Sequence, residues 1–376
     1  MRKLLSLALA CALTLTLTPQ ISAAETQPKA YILTEGTAMK TLYGANTTVK
    51  LPPASLTKMM LLLIAAERLE QGGVTMNDVV TVSKNAASAD GSVIWLTSGE
   101  TMILSELLKS IVIASANDSS VAVAEYLAGS EASFVALMNK RAAALGMNNT
   151  HFDNCTGLDS KTHYSTAADL AILLSALAKR DVFTDWCNTR LSYVRDGTDK
   201  RTELLNTNKL YDTPGLIFAK TGTTDAAGYC LGLAVKKDTV TLISVVLGAG
   251  SEAARVKFSS ELLDRGFENF GYTLPQIDAK KLTSVKVIGG VDKNVDVWVK
   301  DESGFIISKK GTPPEYHYAL VGEVRAPVKR GQKLGKVQAI QDDVLVYESD
   351  IIAFSGVEEL SFMKSVSLIL KEMLRM

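Results

Sequence analysis

Three short groups of residues in this 376-residue chain have the types and spacing for acyl transfer to a serine. In Pro53-Ala54-Ser55-Leu56-Thr57-Lys58, Ser55 and Lys58 stand three apart at the start of a helical pattern, so both side chains leave one face within reach of each other. A hydroxyl is a poor nucleophile until a base takes its proton. Lysine can be that base only where burial or neighbouring positive charge lowers its pKa. The apolar run after Lys58 suits such burial, although Ser-x-x-Lys alone also describes a helix-start serine beside a solvated lysine. The second group, Ser115-Ala116-Asn117, falls between two helical patterns. A hydroxyl there could hand a proton to a leaving amine, and an Asn amide could hold a peptide group with a donor and an acceptor. The third, Lys220-Thr221-Gly222, closes a strand-like run with a cation, a hydroxyl and a glycine that lets another backbone lie close.

Each group needs an element to hold it. Residues 55–71 carry a long helical pattern, apolar at Met59, Met60, Leu62, Leu63, Ala66 and Leu69, which ends at Gly72-Gly73. Its apolar character on most sides predicts a buried helix. Periodicity predicts further helices over 104–114, 119–127, 131–145 and 167–179, with Asp118 as an N-cap and Ser165-Thr166 as a start signal. Ahead of them, 30–34 and 39–43 read as a hairpin turning at Gly36. Three strand-like runs, 216–221, 229–236 and 239–247, are joined by short turns and followed by a helix over 252–270. That meander implies an antiparallel sheet with helices, an α+β fold.

Beyond Tyr272 the pattern changes to short strands at 284–287, 295–299, 305–307 and 344–347, punctuated by Gly and Pro, with a turn over 326–332. This predicts a separate small all-β domain. The expected organisation is a signal peptide over 1–24, a main domain over 25–274, the β domain over 275–355 and a terminal amphipathic helix over 356–376. The signal reading rests on Arg2 and Lys3, an apolar stretch of 14 residues, and Ser22-Ala23-Ala24 for cleavage. Fourteen residues fall short of the roughly 20 that a bilayer span needs. In the terminal helix, Leu360, Met363, Val366, Leu370, Met373 and Leu374 recur at helical spacing among Lys364, Lys371, Glu372 and Arg375. A helix docked on a domain surface has the same pattern. The terminal position and basic excess favour an anchor lying in a membrane surface.

Composition removes other classes. With 47% hydrophobic residues the chain can fold, and 40 basic against 40 acidic residues give no footprint for nucleic acid. Without the leader, Cys155, Cys187 and Cys230 remain, an odd number at spacings that fit neither a disulfide framework nor a zinc site. His151, His163 and His317 have no partner at metal spacing, so no metal or other cofactor is expected.

Taken together the three groups are far more specific than any one, because their order and their separations of 60 and 105 residues are those of one superfamily. The chain resembles the penicillin-recognising serine acyl-transferases. Within them it most resembles the low-molecular-mass penicillin-binding proteins that are D-alanyl-D-alanine carboxypeptidases, through residues 51–58, Asn206-Thr207-Asn208, Ala227-Gly228-Tyr229 and residues 326–335. The resemblance implies a penicillin-binding, transpeptidase-like main domain in an exported protein on the outer face of the bacterial cytoplasmic membrane. It implies that Ser55 attacks the carbonyl of the penultimate D-alanine, that Lys58 takes its proton, and that the backbone N–H groups of Ser55 and Thr223 stabilise the oxyanion. Ser115, with Lys220 nearby, would protonate the leaving amine. Asn117 would orient the peptide, and Lys220, Thr221 and Gly222 would meet its terminus. Arg255 stands where the family often places an arginine near the substrate carboxylate, although a helix-surface arginine would read the same way. The implied partners are peptidoglycan stem peptides, β-lactams as covalent inhibitors, and the membrane surface through the C-terminal helix. Ala116 replaces the family's more usual glycine, and Thr223 replaces its frequent aromatic.

Two rivals carry different functions. A secreted serine β-lactamase would need a glutamate four residues before an asparagine, yet Thr202 stands four before Asn206, and Glu203 is one position too close. A non-catalytic envelope protein that binds peptidoglycan or β-lactams would not need every reacting group to be retained. No Gly-x-Ser-x-Gly elbow supports a Ser-His-Asp hydrolase.

Overall fold

The computed structural model describes residues 27–373; the expected signal peptide, together with Leu374 and Arg375 of the terminal pattern, lies outside the described residues. In chain order the elements are β1 (Ala30–Glu35), β2 (Thr41–Ala45), α1 (Lys58–Glu70), β3 (Val79–Thr81), α2 (Lys84–Ala87), β4 (Thr101–Ile103), α3 (Leu104–Ala114), α4 (Asn117–Ala128), α5 (Glu131–Ala144), α6 (Ala167–Ala178), α7 (Thr184–Cys187), β5 (Leu191–Val194), β6 (Thr202–Leu205), β7 (Leu216–Thr224), β8 (Gly228–Lys237), β9 (Val240–Ala249) and α8 (Glu252–Asn269). The rest are β10 (Phe270–Thr273), β11 (Val285–Ile288), β12 (Asn294–Val295), β13 (Val297–Val299), β14 (Phe305–Ser308), β15 (Glu315–Leu320), β16 (Glu323–Arg325), β17 (Lys333–Gln341), β18 (Val344–Ala353) and α9 (Phe362–Met373).

The expected meander is antiparallel and forms one side of a five-stranded sheet ordered β2-β1-β9-β8-β7. The register assigns its faces. Ile32, Val245 and Gly232 lie opposite one another across β1, β9 and β8, and a side chain at Gly232 would meet Leu174 of α6 and Met59 of α1. Leu33, Ser244 and Leu233 share the other face, where Leu33 and Leu242 close on Gly266 of α8. Helices therefore cover both faces of the sheet, with α1 buried beneath it. All nine residues from Lys58 to Ala66 are buried. The helix stops where Gly72 takes a left-handed conformation (φ 69°), the geometry expected of a glycine past a C-terminus.

Several local expectations need correction. The helix over 55–71 starts as a 3-10 turn, Ala54–Thr57, before becoming α-helical at Lys58. Asp118 is not the N-cap of α4, which begins at Asn117 behind Ala116. Its carboxylate instead accepts hydrogen bonds from the backbone of Ile94, Leu96 and Ser119. Three β-domain strands, β15, β16 and β17, and the short β10 lie outside the runs expected from the sequence, since polar residues such as His317, Lys336 and Gln338 interrupt the apolar alternation. The β domain has its own core, centred on Val285, Val299, Val337, Ala339 and Ile351. It contains a four-stranded sheet ordered β13-β18-β17-β15 and a three-stranded one ordered β12-β11-β16. One strand pair, β10 with β14, joins residues on either side of Pro275.

Gly215, at the entrance to β7, has φ 80°, and a Cβ there would lie 1.9 Å from the Lys236 carbonyl oxygen. Gly72 has a similar φ but nothing within 4 Å of an added Cβ. Gly72→Ala should therefore cost only the left-handed conformation, about 1 kcal/mol, whereas Gly215→Ala should cost about 3 kcal/mol or more, read by urea unfolding of the two variants.

Candidate active site

The buried N-terminus of α1 and the edge strand β7 meet at one cavity of about 350 Å³, whose lining includes Ser55, Ser115, Asn206, Thr221, Thr223 and Arg255. The period of two along β7 explains the convergence. Lys220 pairs with Gly232, so it belongs to the face that meets α1, and Gly222 follows it on that face. A Cβ at Gly222 would come within 2.9 Å of the Ser55 backbone nitrogen and 3.1 Å of the Pro53 carbonyl oxygen, so only glycine lets strand and nucleophile turn lie this close. Gly157 packs as tightly on the same turn, because a Cβ there would meet the Ala54 carbonyl oxygen at 2.0 Å.

Lys58 Nζ lies 2.9 Å from Ser55 Oγ and donates to the Thr156 carbonyl at 2.6 Å. Lys220 Nζ donates to Ser115 Oγ at 2.8 Å and to its neighbour Thr221's carbonyl at 3.1 Å. Both lysines are buried, and among the described residues neither forms an ion pair. Desolvation lowers the Lys58 pKa to about 7. Lys220 falls well below the usual lysine range, through desolvation first and then the nearby positive charge of Lys58. An amine that is neutral close to physiological pH can accept the proton of a hydroxyl at 2.9 Å; a solvated lysine cannot.

Ser115 is presented by strain. It ends α3 in the left-handed region (φ 62°), which aims its hydroxyl at Lys220 and turns the chain into α4. Asn117 is buried; its Nδ2 donates to the Asp90 carbonyl at 2.5 Å, and its Oδ1 has no hydrogen-bond partner among the described residues. It offers an acceptor, where the sequence allowed a donor as well. Thr221 donates its hydroxyl to Thr207 Oγ1 at 2.7 Å. Arg255 is no surface arginine. It is 3% exposed, lies 5.7 Å over the Tyr229 ring, donates to the Cys230 carbonyl at 3.4 Å, and lines the cavity beside Thr223. The structure thus brings Ser55, Lys58, Ser115, Lys220, Thr221, Gly222, Thr223 and Arg255 to one place, with Asn117 just behind.

Sequence reasoning missed Ser92, Leu205, Lys209 and Glu252 of the lining, and the Thr156 carbonyl that holds Lys58. Asn206, which the sequence shows only as part of a motif, donates through Nδ2 to the carbonyls of Cys187 and Thr189 and accepts at Oδ1 from Asn208 N. Glu203, the one glutamate close to the β-lactamase position, is exposed and absent from the lining.

A family profile described as D-alanyl-D-alanine carboxypeptidase matches residues 17–251. The chain belongs to the D-alanyl-D-alanine carboxypeptidase family. A second profile, described as the penicillin-binding protein 5 C-terminal domain, matches residues 272–359. The carboxypeptidase DacF of Bacillus subtilis is 37% identical over 340 residues, covering 89% of this chain and 87% of its own length. DacC of Escherichia coli is 32% identical, covering 91% and 87%. Among solved structures, penicillin-binding protein 5 from Haemophilus influenzae superposes with a TM-score of 0.79 at 27% identity, covering 89% of this chain and 98% of that one.

Acylation by a fluorescent penicillin should follow the neutral fraction of Lys58. Its second-order rate constant is expected to rise about tenfold per pH unit below about 7 and to level off above it. Lys58→Arg, which cannot be neutral, should remove the rising limb and slow acylation by orders of magnitude. A wild-type profile that is flat from pH 5 to 8 would exclude Lys58 as the base.

Proposed function

We propose that this member of the carboxypeptidase family removes the terminal D-alanine of peptidoglycan stem pentapeptides through an acyl-enzyme on Ser55. The observation that carries the assignment is the 2.9 Å approach of Ser55 Oγ to a lysine that is buried, unpaired among the described residues, and shifted to about 7. The family acts on peptidoglycan stem peptides and binds β-lactams.

In the proposed reaction neutral Lys58 takes the Ser55 proton as Oγ attacks the carbonyl carbon of the penultimate D-alanine. The carbonyl oxygen gathers negative charge beside the backbone N–H groups of Ser55 and Thr223. Preorganised donors of this kind contribute on the order of 10²-fold or more to rate each. The close packing of Gly222 on Ser55 supports this pairing. The C–N bond then breaks as Ser115 passes its proton to the nitrogen of departing D-alanine, and the proton held by Lys58 returns to Ser115 by way of Lys220, 2.8 Å from the Ser115 hydroxyl, which leaves Lys58 neutral again. Thr221, Thr223 and Arg255 receive the terminal carboxylate, with Lys220 behind them, and the Asn117 Oδ1 accepts from a substrate N–H. Water, giving a proton to Lys58, attacks the carbonyl carbon of the resulting ester, and that proton passes to Ser55 Oγ as the ester bond breaks.

The reading extends to location. The family's place is the cell envelope, and we assign residues 1–24 to export and 25–274 and 275–355 to the catalytic and β domains. We assign 356–376 to anchoring on the outer face of the cytoplasmic membrane. Exposed Phe362, Met363, Leu370 and Met373 on α9 support the last assignment.

The mature protein should release D-alanine from a pentapeptide ending in D-Ala-D-Ala, and Ser55→Ala should abolish both this release and covalent penicillin labelling. Rapid penicillin turnover without D-alanine release would point to a β-lactamase instead. Truncation after Gly356 should shift the protein from the membrane to the soluble fraction with peptide hydrolysis retained; unchanged partitioning would remove the anchor.

A further inference from the structure

Trp95 occupies the left-handed backbone region (φ 55°) with 74% of its surface exposed. Neither condition suits a bulky aromatic, whose Cβ crowds its own backbone there and whose ring remains in water. The surrounding contacts impose both. The amides of Ile94 and Leu96, on either side of it, each donate to the buried Asp118 carboxylate at 3.0 Å. The Ile94 carbonyl accepts from Arg195 at 3.0 Å, and Arg195 is itself clamped by Glu100 in a nearly buried ion pair. Upstream, the Asp90 and Ser92 carbonyls accept from the Asn117 side chain and backbone at 2.5 and 2.6 Å. Consecutive residues Asn117 and Asp118 thus pin residues 90–92 and 94–96. The loop is fixed to the same turn that presents Ser115, and Ser92 of that loop lines the cavity. Strain held by this many contacts, three residues along the loop from a cavity-lining serine, points to a use for the side chain it displays.

The surroundings select the kind of ligand. Ile94 and Leu96 are buried, and the exposed residues that follow, Thr97, Ser98 and Gly99, are small or polar, so Trp95 is the single exposed aromatic of its loop. A protein partner would seek a contiguous desolvated patch. A pyranose ring fits better, because it lays a face of C–H groups on an aromatic plane while its hydroxyls remain in water. The cavity is lined with the Arg255 cation and the hydroxyls of Ser55, Ser115, Thr221 and Thr223, the groups assigned to a peptide terminus, so the sugar from which a stem peptide hangs would lie outside it. We propose that Trp95 is a stacking platform for a sugar ring of the glycan that carries the peptide substrate, a positioning contact that holds the polymer while its peptide end reaches Ser55. This rests on the carboxypeptidase reading.

The test compares two substrates in the full-length mature protein: a soluble acyl-D-Ala-D-Ala peptide and glycan strands bearing pentapeptides. Trp95→Ala should leave kcat and KM on the soluble peptide within about twofold of wild type and raise KM on the glycan-linked substrate about three- to tenfold at similar kcat, the scale of one stacking contact. Trp95→Phe should keep most of the glycan affinity. Equal losses on both substrates, or none on either, would overturn the platform. A second readout needs no catalysis. Glycan strands stripped of peptide should quench tryptophan fluorescence in wild type and not in Trp95→Phe, and absence of that difference also overturns the proposal. Absence of D-alanine release from either substrate by wild type would overturn the carboxypeptidase reading, leaving the quenching titration to decide the platform alone.

Discussion

Two lysine amines buried side by side without a carboxylate are the constraint around which this domain is organised. Removing one ammonium from water is costly, and a second like charge nearby adds repulsion, so the folded state favours neutral amines. For Lys58, a displacement from 10.5 to about 7 is of order 5 kcal/mol of folding stability forgone at neutral pH. The sign follows from linkage. Between these two values the unfolded chain binds the proton and the folded one does not, so the cost is full below about 7 and fades as pH rises towards the ordinary lysine value. A domain accepts such a penalty only where surrounding packing supplies the energy, here nine consecutive buried residues at the start of α1 beneath a five-stranded sheet.

That packing also determines which side chains can reach the site. An edge strand delivers alternate residues to opposite faces, so the Lys-Thr-Gly run can aim its lysine at α1 while its threonine turns to the cavity wall. The arrangement works only if the strand approaches the nucleophile turn closely, which Gly222 permits, while Gly157 lets a second segment pack on the same turn. Ser115 comes from a third direction, at a helix end forced into a left-handed turn. Nucleophile, amine and second hydroxyl therefore sit on a helix start, a strand and a helix end, and each is immobilised by its own backbone bonding.

This construction explains what was legible in the sequence. Helix α3 spans the residues that periodicity indicated, because the change from apolar run to Ser115-Ala116-Asn117 is local. The meander was legible for the same reason, and the three motifs lie within it or at helix ends. What escaped was fixed by contacts distant in sequence. Asp118 looks like a cap because an acid before a helix usually is one; nothing local reveals that residues 94 and 96 occupy its oxygens. Arg195 and Glu100 are 95 residues apart, and neither advertises its partner. In the β domain, alternation is diluted by polar residues on exposed faces, so β15 and β17 are recognisable only once their pairing is known.

The three cysteines complete the electrostatic argument. Cys155 lies near enough to Lys58, Cys187 to Lys220 and Cys230 to Arg255 for each pair to influence the other's protonation. Burial pushes all three thiols up, Cys187 to about 12 and Cys230 to about 11, so they remain neutral. The choice of side chain matters behind Lys58, where Glu131 is close: its carboxylate accepts from the Cys155 thiol at 3.3 Å. A carboxylate in place of that thiol would pair directly with Lys58, hold it as an ammonium and leave Ser55 without a base. A small, polarisable and uncharged group fills the space without fixing the charge of the amine. Their conservative packing role and their effect on the site are thus one property: near a lysine that must be able to lose its proton, a buried thiol supplies contact without a counter-ion.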